Sequence, residues 1–323
     1  LKTALRVAIS VGVLAALFIL LPWEGLWSAA SRMSLIVWLG VLAGFVGGHS
    51  LGVIKWRRML GIGRAVLRPL EAVRCYAAGL FANLCLPSIV GGDVLRAVLA
   101  GRVTGRPEAV VIGSVGDRLC DVTALAGLAA GGALLARAEL PGWGANVLGA
   151  LALVGVVGTA LFVPLALRRP LRRWPPRVRR PIGRTLVALR RLSASPGAAA
   201  SVLVLSLTIQ TGFVLLNAWI GHTVGIDAPL TVWFFAWPVA KVAGLLPVSL
   251  GGLGVRDATF GAALASFGVP MASGVAASLI WQTVLVGGGL LAGATWLALG
   301  GRSTDATRPS LLLRKRIQIA RHG

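Results

Sequence analysis

Leu86-Pro87-Ser88-Ile89-Val90-Gly91-Gly92-Asp93-Val94-Leu95-Arg96 and Leu246-Pro247-Val248-Ser249-Leu250-Gly251-Gly252-Leu253-Gly254-Val255-Arg256 share the pattern L-P-x3-G-G-x3-R, 160 residues apart. Each stretch sits inside an apolar segment, 70–100 for the first and 231–265 for the second. Proline removes a backbone donor and drives the residue before it out of helix, while a Gly-Gly pair permits a sharp turn and close backbone approach. Pro87, Gly91, Gly92, Pro247, Gly251 and Gly252 therefore mark turns at which an apolar helix breaks. A half-helix starting near each glycine pair presents free N–H groups and a partial positive charge, with Arg96 and Arg256 about two turns further on. Such an end suits a phosphate or a carboxylate.

Around these segments the composition is that of a membrane protein. The chain is 56% hydrophobic and only 13% charged, with a mean hydropathy of +0.83. Six stretches are long and apolar enough for full spans: 4–23, 34–54, 109–135, 145–167, 198–224 and 272–299. The stretch from Leu1 to Trp23 reads as a span and not as a cleavable signal, because its apolar run is too long and lacks a small-x-small site. The expected fold is all-α: one polytopic membrane domain over 1–323, with six full spans and two re-entrant broken-helix hairpins. Three full spans separate the hairpins, so they enter from opposite faces. That is an inverted repeat, the architecture of alternating access around a midplane site.

The net charge of +22 is distributed as this topology requires. Lys2 and Arg6 precede the first span; Lys55, Arg57, Arg58, Arg64 and Arg68 follow the second; Arg102 and Arg106 follow the first hairpin. A basic loop at 168–196 carries ten arginines and no acid, and a basic tail occupies 300–323. With each hairpin leaving by the face it entered, all these groups share one side. The opposite loops hold only Glu24, Arg32, Arg137, Glu139 and Asp227. The positive-inside rule makes the basic side cytoplasmic, with both termini on it, in a bacterial inner membrane. This accounts for the charge without nucleic acid, for which no basic face or aromatic-interleaved basic motif is present.

Cys75, Cys85 and Cys120 lie in apolar segments and read as small core residues. His49 and His222 are isolated near opposite ends of their spans, so neither a metal nor another cofactor is expected. Trp56, Trp219 and Trp233 are among the tryptophans that read as interfacial anchors. No G-x-S-x-G or Walker A motif is present.

Eight ionisable residues fall at membrane depth: Asp93, Arg96, Asp117, Arg118, Asp121, Lys241, Arg256 and Asp257. Asp93 and Arg96 are three apart, as are Arg118 and Asp121, so each pair can meet on one helix face. Intramembrane charges are costly and pair with one another or line a polar cavity. One reading is a cavity in which Arg96, Arg118, Arg256 and Lys241 hold an anionic headgroup, the carboxylates balancing them when it is empty. The other is a structural salt-bridge network that holds the hairpins in place.

Asn83-Leu84-Cys85-Leu86-Pro87 through Gly92-Asp93-Val94-Leu95-Arg96, then Asp117-Arg118-Leu119-Cys120-Asp121, then Leu246-Pro247 through Gly251-Gly252-Leu253-Gly254-Val255-Arg256-Asp257 resemble the transmembrane family of lysylphosphatidylglycerol synthases. That family is the flippase-like part of the multiple-peptide-resistance proteins, together with stand-alone relatives. The resemblance covers nearly the whole chain. It departs at Asp117 and Asp257, where the family often has Glu. No aminoacyl-transferase domain follows Leu299, so lipid aminoacylation is not expected. The resemblance implies movement of lipids between leaflets, with aminoacyl-phospholipids, polyprenyl-phosphate-linked sugars and hopanoids among the substrates associated with relatives.

The expected function is a lipid flippase or transporter acting by alternating access. Its partners are membrane lipids with an anionic or zwitterionic headgroup, and a homodimer is among the options for its oligomeric state. Two alternatives stand beside this reading: a membrane-embedded transferase acting on a lipid-phosphate through Asp93, Asp117 or Asp121, and a non-transporting scaffold for a lipid enzyme.

Overall fold

The computed structural model describes residues 31–85, 89–136, 196–245 and 253–300. The expected spans at 4–23 and 145–167, nearly all of the basic loop, the tail beyond Gly300, and the turn residues Pro87, Pro247, Gly251 and Gly252 lie outside the described residues. Those residues form eight α-helices and no strand: α1 Leu35–Ile62, α2 Pro69–Cys85, α3 Ile89–Thr104, α4 Pro107–Leu135, α5 Pro196–Thr223, α6 Leu230–Leu245, α7 Val255–Ala265 and α8 Met271–Gly300.

Four of these are long and apolar enough to cross a membrane: α1, α4, α5 and α8, of 28, 29, 28 and 30 residues. At 1.5 Å per residue each is about 42–45 Å long, more than the roughly 30 Å of a hydrocarbon core. Ser34 starts α1 by accepting the Val37 N–H on its hydroxyl at 3.3 Å. Pro107, in the first turn of α4, places its missing donor where no helical partner exists.

The two broken segments are pairs of shorter helices. α2 and α3 have 17 and 16 residues, α6 and α7 have 16 and 11. They are thus about 16–26 Å long, short of a full crossing. Gly91 and Gly92 lie in the first turn of α3 and not in the connection before it, which corrects their reading as turn residues. The helix resumes at Ile89, and Gly92 serves close packing instead. Its carbonyl would stand 2.7 Å from a Cβ on Gly79, so α2 and α3 touch backbone to backbone. Gly254 does adopt a left-handed conformation, φ +78°, at the start of α7.

Helix contacts come in matched sets. α1 packs on α2 and α4 as α5 packs on α6 and α8; α2 packs on α3 as α6 on α7; α3 packs on α4 as α7 on α8. Between the halves, α2 lies on α8 as α6 lies on α4, α1 touches α8 as α5 touches α4, and α1 and α5 face one another. Gly40, Gly44 and Gly48 recur every fourth residue along α1 beneath Trp219, Leu216 and Phe213 of α5. With little hydrophobic drive between helices in lipid, such small-residue stripes let close van der Waals contact hold the pair.

Trp56 and Trp233 are fully buried, which corrects their reading as interfacial anchors. Their indole N–H groups are satisfied inside the bundle, by the Ser114 hydroxyl at 3.0 Å and the Ala228 carbonyl at 3.2 Å.

Candidate functional site

α1 does not end at residue 54 but runs unbroken to Ile62, carrying Lys55 into the bundle. Lys55 was expected in a cytoplasmic loop, yet it is only 3% exposed. The signal is visible in Lys55-Trp56-Arg57-Arg58-Met59-Leu60: the first two and last two residues are buried on one face, and the arginines are exposed on the other. This is helical periodicity continuing past the apolar run. Lys55 Nζ lies 3.2 Å from Asp117 Oδ1 and closer still to Asp121 Oδ1, both on α4, and donates to Ser206 of α5 at 3.2 Å.

Those carboxylates belong to a compact network of three aspartates and three cations. Arg118 grips Asp93 of α3 with Nε and Nη2, both contacts at 2.6 Å, and its Nη1 stands 3.8 Å from Asp121. Arg96 reaches Asp93 and Asp117, both at 3.1 Å. Its guanidinium stands over the adjoining rings of Trp56 and Tyr76, 5.0 Å from each centroid. The paired charges and the ring faces together offset the cost of burying this group in lipid. The network ties α1, α3 and α4 together.

A second polar group gathers around α7. Asp257 is fully buried and accepts three hydrogen bonds: from the Gly254 N–H at 3.0 Å, from Arg256 at 2.8 Å and from the Ser278 hydroxyl at 2.6 Å. Asp257 thereby caps its own helix. On α3 the corresponding service comes from Asn83, whose side-chain oxygen accepts the Gly92 N–H at 3.1 Å. Arg256 also donates to Gln282 at 2.9 Å. Ser278→Ala withdraws one of three donors from a buried carboxylate and is expected to cost about 1–3 kcal/mol of stability. Thermal unfolding in detergent measures this, and an unchanged midpoint would show that Asp257 does not depend on the hydroxyl.

Between the two groups lies a cavity of about 220 Å³. Arg118 enters it from α4, Lys241 from α6 and Arg256 from α7, with Asn83, His49 and Gln282 as the other polar lining residues and Phe45, Phe213, Trp237 and Trp281 as aromatic walls. Arg96, Asp93, Asp117, Asp121 and Asp257 do not line it. His49, expected near the end of its span, stands near the middle of α1 and on this cavity.

Three features of the lining concern charge. Lys241 donates to Gln210 at 2.7 Å and sits 4.6 Å over the Phe213 ring, and among the described residues it has no carboxylate partner. Arg256 Nε and Trp237 Nε1 are buried without a hydrogen-bond acceptor. The cluster as a whole, with Lys55 included, holds one more cation than carboxylate.

No group of three His, Cys, Asp or Glu side chains placed to hold a metal ion occurs among the described residues. No curated protein and no solved structure gives a significant match to this chain. The family model of the lysylphosphatidylglycerol synthase TM region matches residues 3–293. Its match runs over nearly the whole sequence, and the helices include four long apolar spans. The chain is therefore a membrane protein of the lysylphosphatidylglycerol synthase transmembrane-region family, with a function concerned with membrane lipids.

Proposed function

We propose that this protein moves a lipid with an anionic headgroup between leaflets, binding the headgroup in the cavity among Arg118, Lys241 and Arg256. The observation that carries this reading is the unbalanced cation. An ammonium at membrane depth with no carboxylate partner is costly, and a phosphate in the cavity supplies the missing charge.

The topology is six full spans and two re-entrant hairpins in an inverted repeat, within a bacterial inner membrane and with both termini cytoplasmic. Supporting it are the matched helix contacts, the shortness of α2, α3, α6 and α7, and the place of Arg96 and Arg256 in the corresponding helices α3 and α7. Arg118 comes from one half of the chain, Lys241 and Arg256 from the other. A headgroup bound by all three bridges the halves, and rocking of the halves exposes it to one leaflet and then the other. Asp93, Asp117 and Asp121 are each tied to a lysine or arginine, so the transferase alternative finds none of these carboxylates disengaged.

The test is protein reconstituted in liposomes with fluorescent phosphatidylglycerol and an impermeant quencher. Wild-type protein makes inner-leaflet probe quenchable, and Lys241→Gln and Arg256→Gln each slow this about tenfold or more, the worth of one charge-assisted hydrogen bond. Flipping that persists at the wild-type rate in both variants would remove this cavity from the mechanism.

A further inference from the structure

Phe45, His49 and Leu80 face two spaces at once. One is the charged cavity; the other is a larger cavity of about 370 Å³ between α1, α2 and α8. The walls of the second are almost wholly apolar, with Val53, Ala77, Leu291 and Ala292 among them. The hydroxyls of Ser50 and Thr295 also line it, but each donates back to its own helix, to Val46 and Leu291, both at 2.8 Å. The His49 ring nitrogen is engaged by the Tyr76 hydroxyl at 3.1 Å. The groove therefore offers an occupant hydrocarbon contact and little hydrogen bonding.

Its course is given by the helix register. Along α1 it runs from Phe45, past His49 near the middle of the helix, to Arg57, near its end. That is about 18 Å at 1.5 Å per residue, somewhat more than half of a roughly 30 Å hydrocarbon core. Along α2 it runs from Leu80 back to Pro69, the first residue of that helix. The groove thus leads from the charged cavity towards one surface of the bundle, where Arg57 marks the far end.

We propose that this groove seats the hydrocarbon chain of the lipid whose headgroup occupies the charged cavity. The inference rests on the headgroup reading above and extends it to the tail. Head and tail of a lipid are covalently continuous, so an anion site at membrane depth needs an adjoining apolar path. The two spaces adjoin at Phe45, His49 and Leu80, with no Lys, Arg, Asp or Glu between them. Size decides between a tail and another helix of this chain. An α-helix with side chains is 10–12 Å across, so an 18 Å length of it fills roughly 1400–2000 Å³, more than the entire empty space of about 990 Å³ along the groove. A single extended chain fits.

The test compares two probes on protein in phosphatidylcholine nanodiscs: phosphatidate, which has head and tails, and glycerol 3-phosphate, which has only the head. Ser50→Trp/Thr295→Trp fills the groove from two exposed positions. It is expected to weaken phosphatidate binding about tenfold or more, the equivalent of about two buried methylene groups, and to leave glycerol 3-phosphate binding unchanged. Lys241→Gln weakens both probes. Phosphatidate binding unchanged in the groove variant but lost in Lys241→Gln would overturn the tail site and leave the headgroup site standing. A lower melting temperature of the unliganded groove variant, with both probes weakened alike, would make the groove a packing seat for the chain itself. Failure of the wild type to bind either probe would overturn the headgroup reading and this one with it.

Discussion

Lys55→Met is expected to destabilise the protein by about 3–5 kcal/mol, as removal of one partner from a buried ion pair does. The lysine is 3% exposed and stands between Asp117 and Asp121, one helical turn apart on α4. Methionine fills much of its volume but leaves the two carboxylates facing each other. Arg96 then serves Asp117 at 3.1 Å, while Asp121 keeps only the contact at 3.8 Å with Arg118. A carboxylate stripped of its cation in lipid has no solvent to fall back on. The second step is the diagnostic one: Lys55→Met/Asp121→Asn restores the balance of charge and recovers much of the loss. Melting curves of the purified proteins in one detergent give all corners of the cycle. A single variant that melts like wild type, or a double variant no better than the single, would show that Lys55 does not neutralise this pair.

Gly92→Val is expected to open the α2–α3 hairpin, at a cost at or above the roughly 1–3 kcal/mol of ordinary overpacking. A Cβ there meets the Gly79 carbonyl and stands 2.7 Å from Asn83 Cγ. The first obstacle is backbone, which cannot rotate away, so α3 must move off α2. Asp93 and Arg96 ride on α3, and their contacts to Arg118 and Asp117 move with it. On the function proposed above, flipping is therefore expected to fall along with stability. Gly47→Ala is the matched control, since a Cβ on Gly47 meets nothing within 4 Å. It is expected to leave both stability and flipping near wild type. Equal tolerance of the two substitutions, read by melting temperature and by the quenching assay, would contradict the close contact of α2 with α3.

Much of this architecture is legible in the residues alone, because hydropathy and chain-breaking act locally. An apolar run of about 20 residues must close its own backbone hydrogen bonds in lipid, so it is a helix whatever surrounds it. The interruption of two such runs is equally local: α2 ends at Cys85, just before Leu86-Pro87, and α6 at Leu245, just before Leu246-Pro247. The eight ionisable residues within or beside the apolar segments gather in the two polar groups or line the cavity between them. Lys55 was missed because a basic cluster after an apolar run reads as the end of a span. Separating one buried lysine from its exposed arginine neighbours required following the helical period for two more turns.

What each charge does was not legible. Arg96 and Arg256 occupy equal places in the repeated pattern, yet Arg96 is enclosed by Asp93, Asp117 and two rings while Arg256 reaches the cavity. Arg118 takes the cavity position on the first side, gripping a carboxylate 25 residues away, and Lys55 pairs with one 66 residues away. Helix formation, span length and the breaks follow from neighbouring residues and the solvent. Ion pairing follows from which helix faces meet, and the glycines that let α1 approach α5 and α2 approach α3 set those faces only once the helices are packed. The partition of the charges into a structural network and an open cavity is thus a property of the packed bundle, because Coulomb energy depends on separations in space that no spacing along the chain specifies.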